Sequence, residues 1–268
     1  MISQHSVTLI ISSYNHPNCL ELVLEGVARQ DYGELDIVVA DDGSDPDTFE
    51  VLDGFKERTQ FALHVTTHDH EGFRKAAALN NAVHAAVGEQ LIFLDGDCIP
   101  YANMVRTHVE AFRAGRYCVA GYVRLSLTQS RSLTTEGVAR GAHEHLASDA
   151  QIRSLRSIHR RNQLYRLLGK PRKPKVLGGN FSVGRELLHE VNGFDNRFAD
   201  FSGEDSDLRN RLNNAGAQGT CLWNKAFVTH LDHGLDERRC HGSKQRTSNR
   251  SFIKQNRSLV RTPDGLMR

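Results

Sequence analysis

Short apolar runs alternate with helical periods through the first hundred residues. Val7 to Ser12 is a continuous apolar strand, and Leu20, Val23, Leu24 and Val27 then fall at helical spacing through about residue 29. Leu35 to Ala40 predicts a second strand ending in Asp41-Asp42-Gly43-Ser44, Pro46 to Arg58 a helix, and Phe61 to Thr66 a third, weaker strand. Gly72-Phe73-Arg74-Lys75 opens an alanine-rich helix to about Val87. The next run, Leu91 to Leu94, is wholly apolar and closes on Asp95-Gly96-Asp97-Cys98, so it reads as a buried strand delivering two acids at its C-terminal end. Strand and helix thus alternate three times, which predicts an α/β fold with a mostly parallel sheet built through right-handed crossovers.

Tyr101 to Ala114 predicts a further helix and Tyr117 to Leu125 a further strand. The rhythm breaks over residues 126–175, where polar residues dominate and helical spacing returns only around Ile152 to Leu168; this segment reads as an inserted lid or acceptor-side excursion. Val176 to Val183 resumes strand character. Gly203-Glu204-Asp205-Ser206-Asp207-Leu208 starts a helix that stops near Gly216, and short strands follow at Gln218 to Trp223 and Ala226 to His230. The expected organisation is one domain over residues 1–234, divided at 125 and 175, and a basic tail over 235–268 with no apolar period to hold it down.

Composition narrows the classes. The 34 Lys and Arg against 32 Asp and Glu give a formal charge of +2, so no global field calls for nucleic acid. Bases do outnumber acids locally, from Arg153 to Lys175 and from Arg238 to Arg268, which suits phosphates, an anionic acceptor or a membrane surface. Five scattered cysteines argue against a disulfide framework and fit a reducing cytosol. No basic and apolar leader precedes the first strand and no run approaches 18 apolar residues, so the expected location is cytoplasmic, with room for peripheral membrane contact. Homo-oligomerisation stays open.

The chemistry sits at strand ends. Asp41-Asp42 and Asp95-x-Asp97 close neighbouring parallel strands and should line one crevice, where open α/β sheets bind ligands. A carboxylate there can accept from a base N–H, and Asp97 with a cation can neutralise a diphosphate. Dinucleotide binding would need G-x-G-x-x-G after the first strand, but residues 13–17 read Ser-Tyr-Asn-His-Pro. As plain structure, Asp42 is an exposed acid, Arg74 or Lys75 a helix-capping salt bridge, and His230 a surface imidazole. Acids in the first turn of the Glu204 helix likewise meet the dipole and free N–H groups favourably.

The ordered set Ile11-Ser12-Ser13-Tyr14-Asn15, Asp41-Asp42-Gly43-Ser44, Gly72-Phe73-Arg74-x-Ala-Ala-Ala-x-Asn80, Phe93-Leu94-Asp95-Gly96-Asp97, Gly178-Gly179-Asn180-Phe181, Gly193-Phe194-Asp195, Gly203-Glu204-Asp205 and His230-Leu-Asp-His233 resembles the family 2 inverting glycosyltransferases of GT-A fold. The second half is most similar to their galactosyltransferase and chondroitin-polymerase subset. That resemblance implies a UDP-sugar donor bound by Ser13, Tyr14, Asn15, Asp42, Phe73, Arg74, Lys75, Asn80, Asp95 and Gly96. It also implies a carbohydrate, lipid-linked or small-molecule acceptor held by Gly179, Asn180, Phe201 and Glu204. Mn²⁺ or Mg²⁺ would be held by Asp97 and His230, with Asp95 beside them, His233 being the alternative imidazole. Asp205 would be the general base and Glu204 its neighbour that orients the acceptor or braces the site. Helical geometry agrees: Glu204, Leu208 and Leu212 share a stripe, leaving Asp205 turned about 100° from it. A bacterial surface polysaccharide or a glycosylated metabolite would both suit such an enzyme.

Two departures from the family pattern stand out. Leu79, not Arg, precedes Asn80, and Phe201-Ser202 replaces Trp-Gly before the Gly-Glu-Asp run. His143, His145, His159 and Arg160 of the insertion are further candidates for acceptor contact. The rival readings are a sugar nucleotidyltransferase, which would show a basic Gly-rich loop after the first strand, and a non-catalytic polyanion- or nucleotide-binding module.

Overall fold

The structure is a computed structural model describing residues 5–170, 173–176, 178–199, 203–232, 249 and 251–267. Its strands are β1 (Val7–Ser13), β2 (Leu35–Asp41), β3 (Ala62–Thr66), β4 (Gln90–Asp95), β5 (Cys98–Pro100), β6 (Arg116–Val119), β7 (Gly121–Arg124), β8 (Asn180–Gly184), β9 (Gln218–Cys221) and β10 (Phe227–His230). The helices are α1 (Pro17–Ala28), α2 (Pro46–Arg58), α3 (Lys75–Ala85), α4 (Met104–Ala111), α5 (Leu127–Arg131), α6 (Thr135–Ala139), α7 (Asp149–Leu167), α8 (Arg185–Glu190) and α9 (Glu204–Asn214).

A seven-stranded sheet in the order β3-β2-β1-β4-β8-β6-β9 forms the centre. β3, β2, β1 and β4 are parallel, and β8 is antiparallel to both β4 and β6. β1, β2 and β4 are buried along almost their whole length, because two apolar clusters cover the two faces of the sheet. That double burial is why these strands are mostly apolar rather than alternating in the sequence.

A smaller sheet, β5-β10-β7, stands beside the first. The expected single strand from Tyr117 to Leu125 is therefore two: β6 belongs to the large sheet and β7 to the small one, with the change at Ala120. A continuous apolar run cannot reveal such a corner, since both halves are buried. Asp95-Gly96-Asp97 makes the corresponding corner from β4 into β5. A Cβ on Gly96 would come within 2.5 Å of the Ser12 carbonyl oxygen, so the acids can turn there only around a glycine.

The tail departs most from expectation. Residues 251–267 pack back onto α9 and the turn after α8. Leu266 is buried in the core, and Asn256 donates to Asp195 and Asp207 at 2.7 and 2.9 Å. These anchors are isolated side-chain contacts, which carry no period. Among the described residues no helix is long and apolar enough to cross a membrane.

Candidate active site

The C-terminal ends of β1, β2 and β4, with the start of α3, enclose a cavity of about 160 Å³ lined by Ser13, Tyr14, Asp42, Phe73, Lys75, Asp95, Gly96 and Asp97 among others. At its β2 end, Asp42 is almost wholly buried. Its carboxylate lies 2.7 Å from His68 Nε2 and accepts the Arg74 backbone N–H at 2.8 Å. The neighbouring Asp41 is turned inward to accept from the Gly43 and Ser44 backbone and from Thr67, so it shapes the loop. Tyr14, half exposed, stacks on His70 with ring centroids 4.5 Å apart and planes 13° from parallel; His70 is in turn 2.9 Å from the Asp42 carbonyl.

At the β4 end, Asp95 accepts from Ser12 Oγ at 3.0 Å and from Lys75 Nζ, which also feels Glu204 and Asp205. Burial alone would lower the Lys75 pKa, but the carboxylates of Asp95, Glu204 and Asp205 outweigh it and hold the ammonium well above its ordinary value. Three acids facing one cation leave a surplus of negative charge. Burial, then the Asp205 charge, pushes Glu204 up to about 8, and burial raises Asp205 as well. Glu204 Oε2 is buried with no hydrogen-bond partner, while Asp205 accepts from the Gly178 N–H at 2.8 Å.

The Gly178-Gly179 turn joins the two ends. A Cβ on Gly178 would stand 3.1 Å from both Asp205 oxygens; one on Gly179 would stand 3.0 Å from Cys98 Sγ and 3.2 Å from Asp95 Oδ2. The glycines therefore keep open the space between the general-base candidate and the Asp95 corner. On the small sheet, β5 and β10 pair Cys98 with His230, and Asp97, Cys98 and His230 converge within 4.8 Å. His230 Nε2 lies 3.7 Å from Asp97 Oδ2. A carboxylate oxygen and an imidazole nitrogen at that separation can both reach one ion, and the mixed donor set fits Mn²⁺.

The model of the family described as Glycosyl transferase family 2 matches residues 8–189, more than half of the chain. The chain belongs to glycosyl transferase family 2. A second model, described as the N-terminal domain of galactosyltransferase, matches residues 159–234, in keeping with the galactosyltransferase-like second half. The uncharacterized glycosyltransferase alr2836 of Nostoc sp. is 28% identical over 107 residues, which are 40% of this chain and 33% of that protein. The match thus spans about a third of that relative's length. Staphylococcus aureus TarS 1-349 in complex with UDP-GlcNAc superposes with a TM-score of 0.65 at 16% identity, covering 94% of this chain and 66% of that one. The mannosyltransferase PcManGT of Pyrobaculum calidifontis, in complex with GDP-Man and Mn²⁺, gives 0.60 at 21% identity, covering 87% and 59%. The fold is GT-A.

Within this family 2 chain several residues expected to touch ligands have protein partners of their own. Asn80 is buried and exchanges hydrogen bonds with the Phe194 backbone at 2.9 Å, so it braces the Gly193-Phe194-Asp195 turn. Asn180 is fully buried and donates to the carbonyls of Gly121 and Ala226. It faces the junction of the two sheets, because β8 begins there with its side chain inward. The Arg74 guanidinium pairs with Glu71 and the Asp69 carbonyl, away from the cavity; only its backbone N–H serves the site. Asp95 is tied to Lys75 and lies outside the cluster of possible metal ligands. Asn15 spends its side chain on the Asp45 N–H at 2.7 Å and lines an adjacent cavity of about 630 Å³. His143 is fully buried beside the Pro100 carbonyl. Phe201 and His233 lie outside the described residues.

Sequence reasoning also missed residues. His68, His70 and Cys98 reach the site through strand register and loop return, which no local spacing signals. Asp207, grouped with its neighbours in sequence, is buried against Arg211 at 2.7 Å and belongs to the framework.

Proposed function

We propose that this chain is a metal-dependent, inverting glycosyltransferase that moves one sugar from a UDP-sugar to an acceptor hydroxyl. The observation that carries the reading is the meeting of Lys75 with Asp95, Glu204 and Asp205 in one cleft, beside the Asp97 and His230 pair. TarS was solved with UDP-GlcNAc and PcManGT with GDP-Man and Mn²⁺, which supports a nucleotide-sugar donor and a divalent ion.

In this reading Asp42 accepts a hydrogen bond from the base, and the stacked Tyr14 and His70 offer it an aromatic face. Mn²⁺ or Mg²⁺, held by Asp97 and His230, would supply Lewis-acid stabilisation of the departing diphosphate. Lys75 fixes the orientation of Asp95 and places positive charge near the sugar and phosphates. Asp205, aimed by the Gly178 N–H, takes the proton of the acceptor hydroxyl as that oxygen attacks the anomeric carbon. The single displacement inverts the centre. Glu204, with a buried oxygen free of protein partners, holds the acceptor hydroxyl in line.

Asp205→Asn is the direct test, because it keeps the side-chain shape and removes the base. Calorimetric UDP binding in the presence of Mn²⁺ should stay within a few-fold of the parent, while transfer falls by at least ~100-fold. Near-normal turnover would refute the assignment. Screening nucleotide sugars by Mn²⁺-dependent UDP release would identify the donor.

A further inference from the structure

The face of α7 turned away from the sheets has no role in the chemistry above. Leu155 and Asn162 point inward, where α7 packs along β7 and β9. On the opposite side, Leu164, Leu167 and Leu168 recur at i, i+3 and i+4, so they form one patch. They are 53%, 78% and 61% exposed, a cluster that a solvated helix end does not require. Around it the chain is purely cationic: from Arg153 to Lys175 there are nine Lys and Arg and no Asp or Glu. Among the described residues none of these cations is in an ion pair with a carboxylate. Lys170 and Lys173 stand over the Tyr165 ring at 5.3 and 5.8 Å, which keeps their charge beside the leucines.

We propose that this leucine patch and its cationic surround form a landing surface for an anionic lipid membrane. Cations draw the helix to a negative headgroup layer, each worth roughly a fivefold gain in partition near such a surface, and the leucines enter the acyl boundary. The two features together select this occupant. A soluble polyanion or nucleic acid would use the charges and leave the leucines in water. A second copy of the chain would cover the leucines only by bringing two cationic surfaces face to face. The surface is coupled to the cleft: Gln151, in the first turn of α7, donates to the Arg124 carbonyl, and Arg124 lies in register with His230. Docking α7 on a membrane would therefore hold the cleft at a fixed height above the lipid, which suits an acceptor carried in that membrane. The inference goes beyond the transferase reading and stands independently of it.

The experiment is co-sedimentation of the full chain with extruded vesicles of phosphatidylcholine alone or mixed with phosphatidylglycerol. Binding should require phosphatidylglycerol and weaken as NaCl is raised. Leu164→Ser/Leu167→Ser/Leu168→Ser should cut vesicle affinity at least tenfold at low salt, with unchanged circular dichroism and unchanged binding to soluble dextran sulfate. Arg153→Gln/Arg161→Gln should weaken binding to both. The proposal is overturned by failure to bind the anionic vesicles, or by a triple-leucine variant that binds them like the parent, which would mark a generic polyanion site. Concentration-dependent dimerisation that the leucine variant abolishes would overturn it too, by assigning the patch to a second copy. Vesicle binding needs no donor or metal, so its outcome is separate from whether the chain transfers a sugar.

Discussion

Lys75 is one ammonium among three acids, and the arithmetic of charge decides how those acids behave. Glu204 keeps a proton that the unfolded chain would release, because burial and the Asp205 charge raise it to about 8 from an ordinary 4.5. Its contribution to stability is therefore complete below pH 4.5 and is lost as the pH rises through 8. Urea unfolding should show stability falling as the pH rises across that window. Glu204→Gln, which cannot titrate, should flatten the slope. The paired glycines give a second prediction at this scale. Gly178→Ala pushes on both Asp205 oxygens from 3.1 Å, so kcat should drop about tenfold or more while UDP binding holds. The turn of Asp205 away from the Glu204, Leu208 and Leu212 stripe was legible in the sequence. The reason for Gly178 and Gly179 was not: it is the proximity of Asp205, Asp95 and Cys98 from three other elements.

Elements carry the next layer. β1, α1, β2 and α2 follow the sequence pattern closely, because strands buried on both faces leave near-continuous apolar runs and amphipathic helices leave periodic ones. The C-terminal segment left none. It is held by side chains such as Asn256, which donates to the buried Asp195 and Asp207 and accepts from Arg197 at 2.9 Å. Asn256→Ala should therefore destabilise the protein by about 1–3 kcal/mol, since two buried carboxylates each lose a donor. The urea midpoint measures this. α9 should be affected most, because Asp207 and Arg211 tie that helix to the carbonyls of Val191 and Gly193. Amide exchange along α9 should quicken in the variant.

For the whole molecule, the two sheets are the deciding feature. The strand ends of the large sheet supply Asp42 and Asp95, with Lys75 from the start of α3; the small sheet brings Asp97, Cys98 and His230 together. Removing divalent ions with a chelator should abolish transfer in the proposed reaction, and Mn²⁺ should restore it. His230→Ala should raise the Mn²⁺ concentration needed for half-maximal activity by at least the roughly 10–100-fold that loss of an outer partner costs a metal site. The sequence by itself determined the alternation of strand and helix, the acids at the strand ends and the order of the motifs, because local periodicity and short spacings are written residue by residue. Only the tertiary structure decided that Asp95 pairs with Lys75, that Asn80 and Asn180 bond to backbone far along the chain, and that residues 251–267 close onto the core. Those assignments depend on strand register and on contacts between residues 20 to 114 positions apart, which no local pattern encodes.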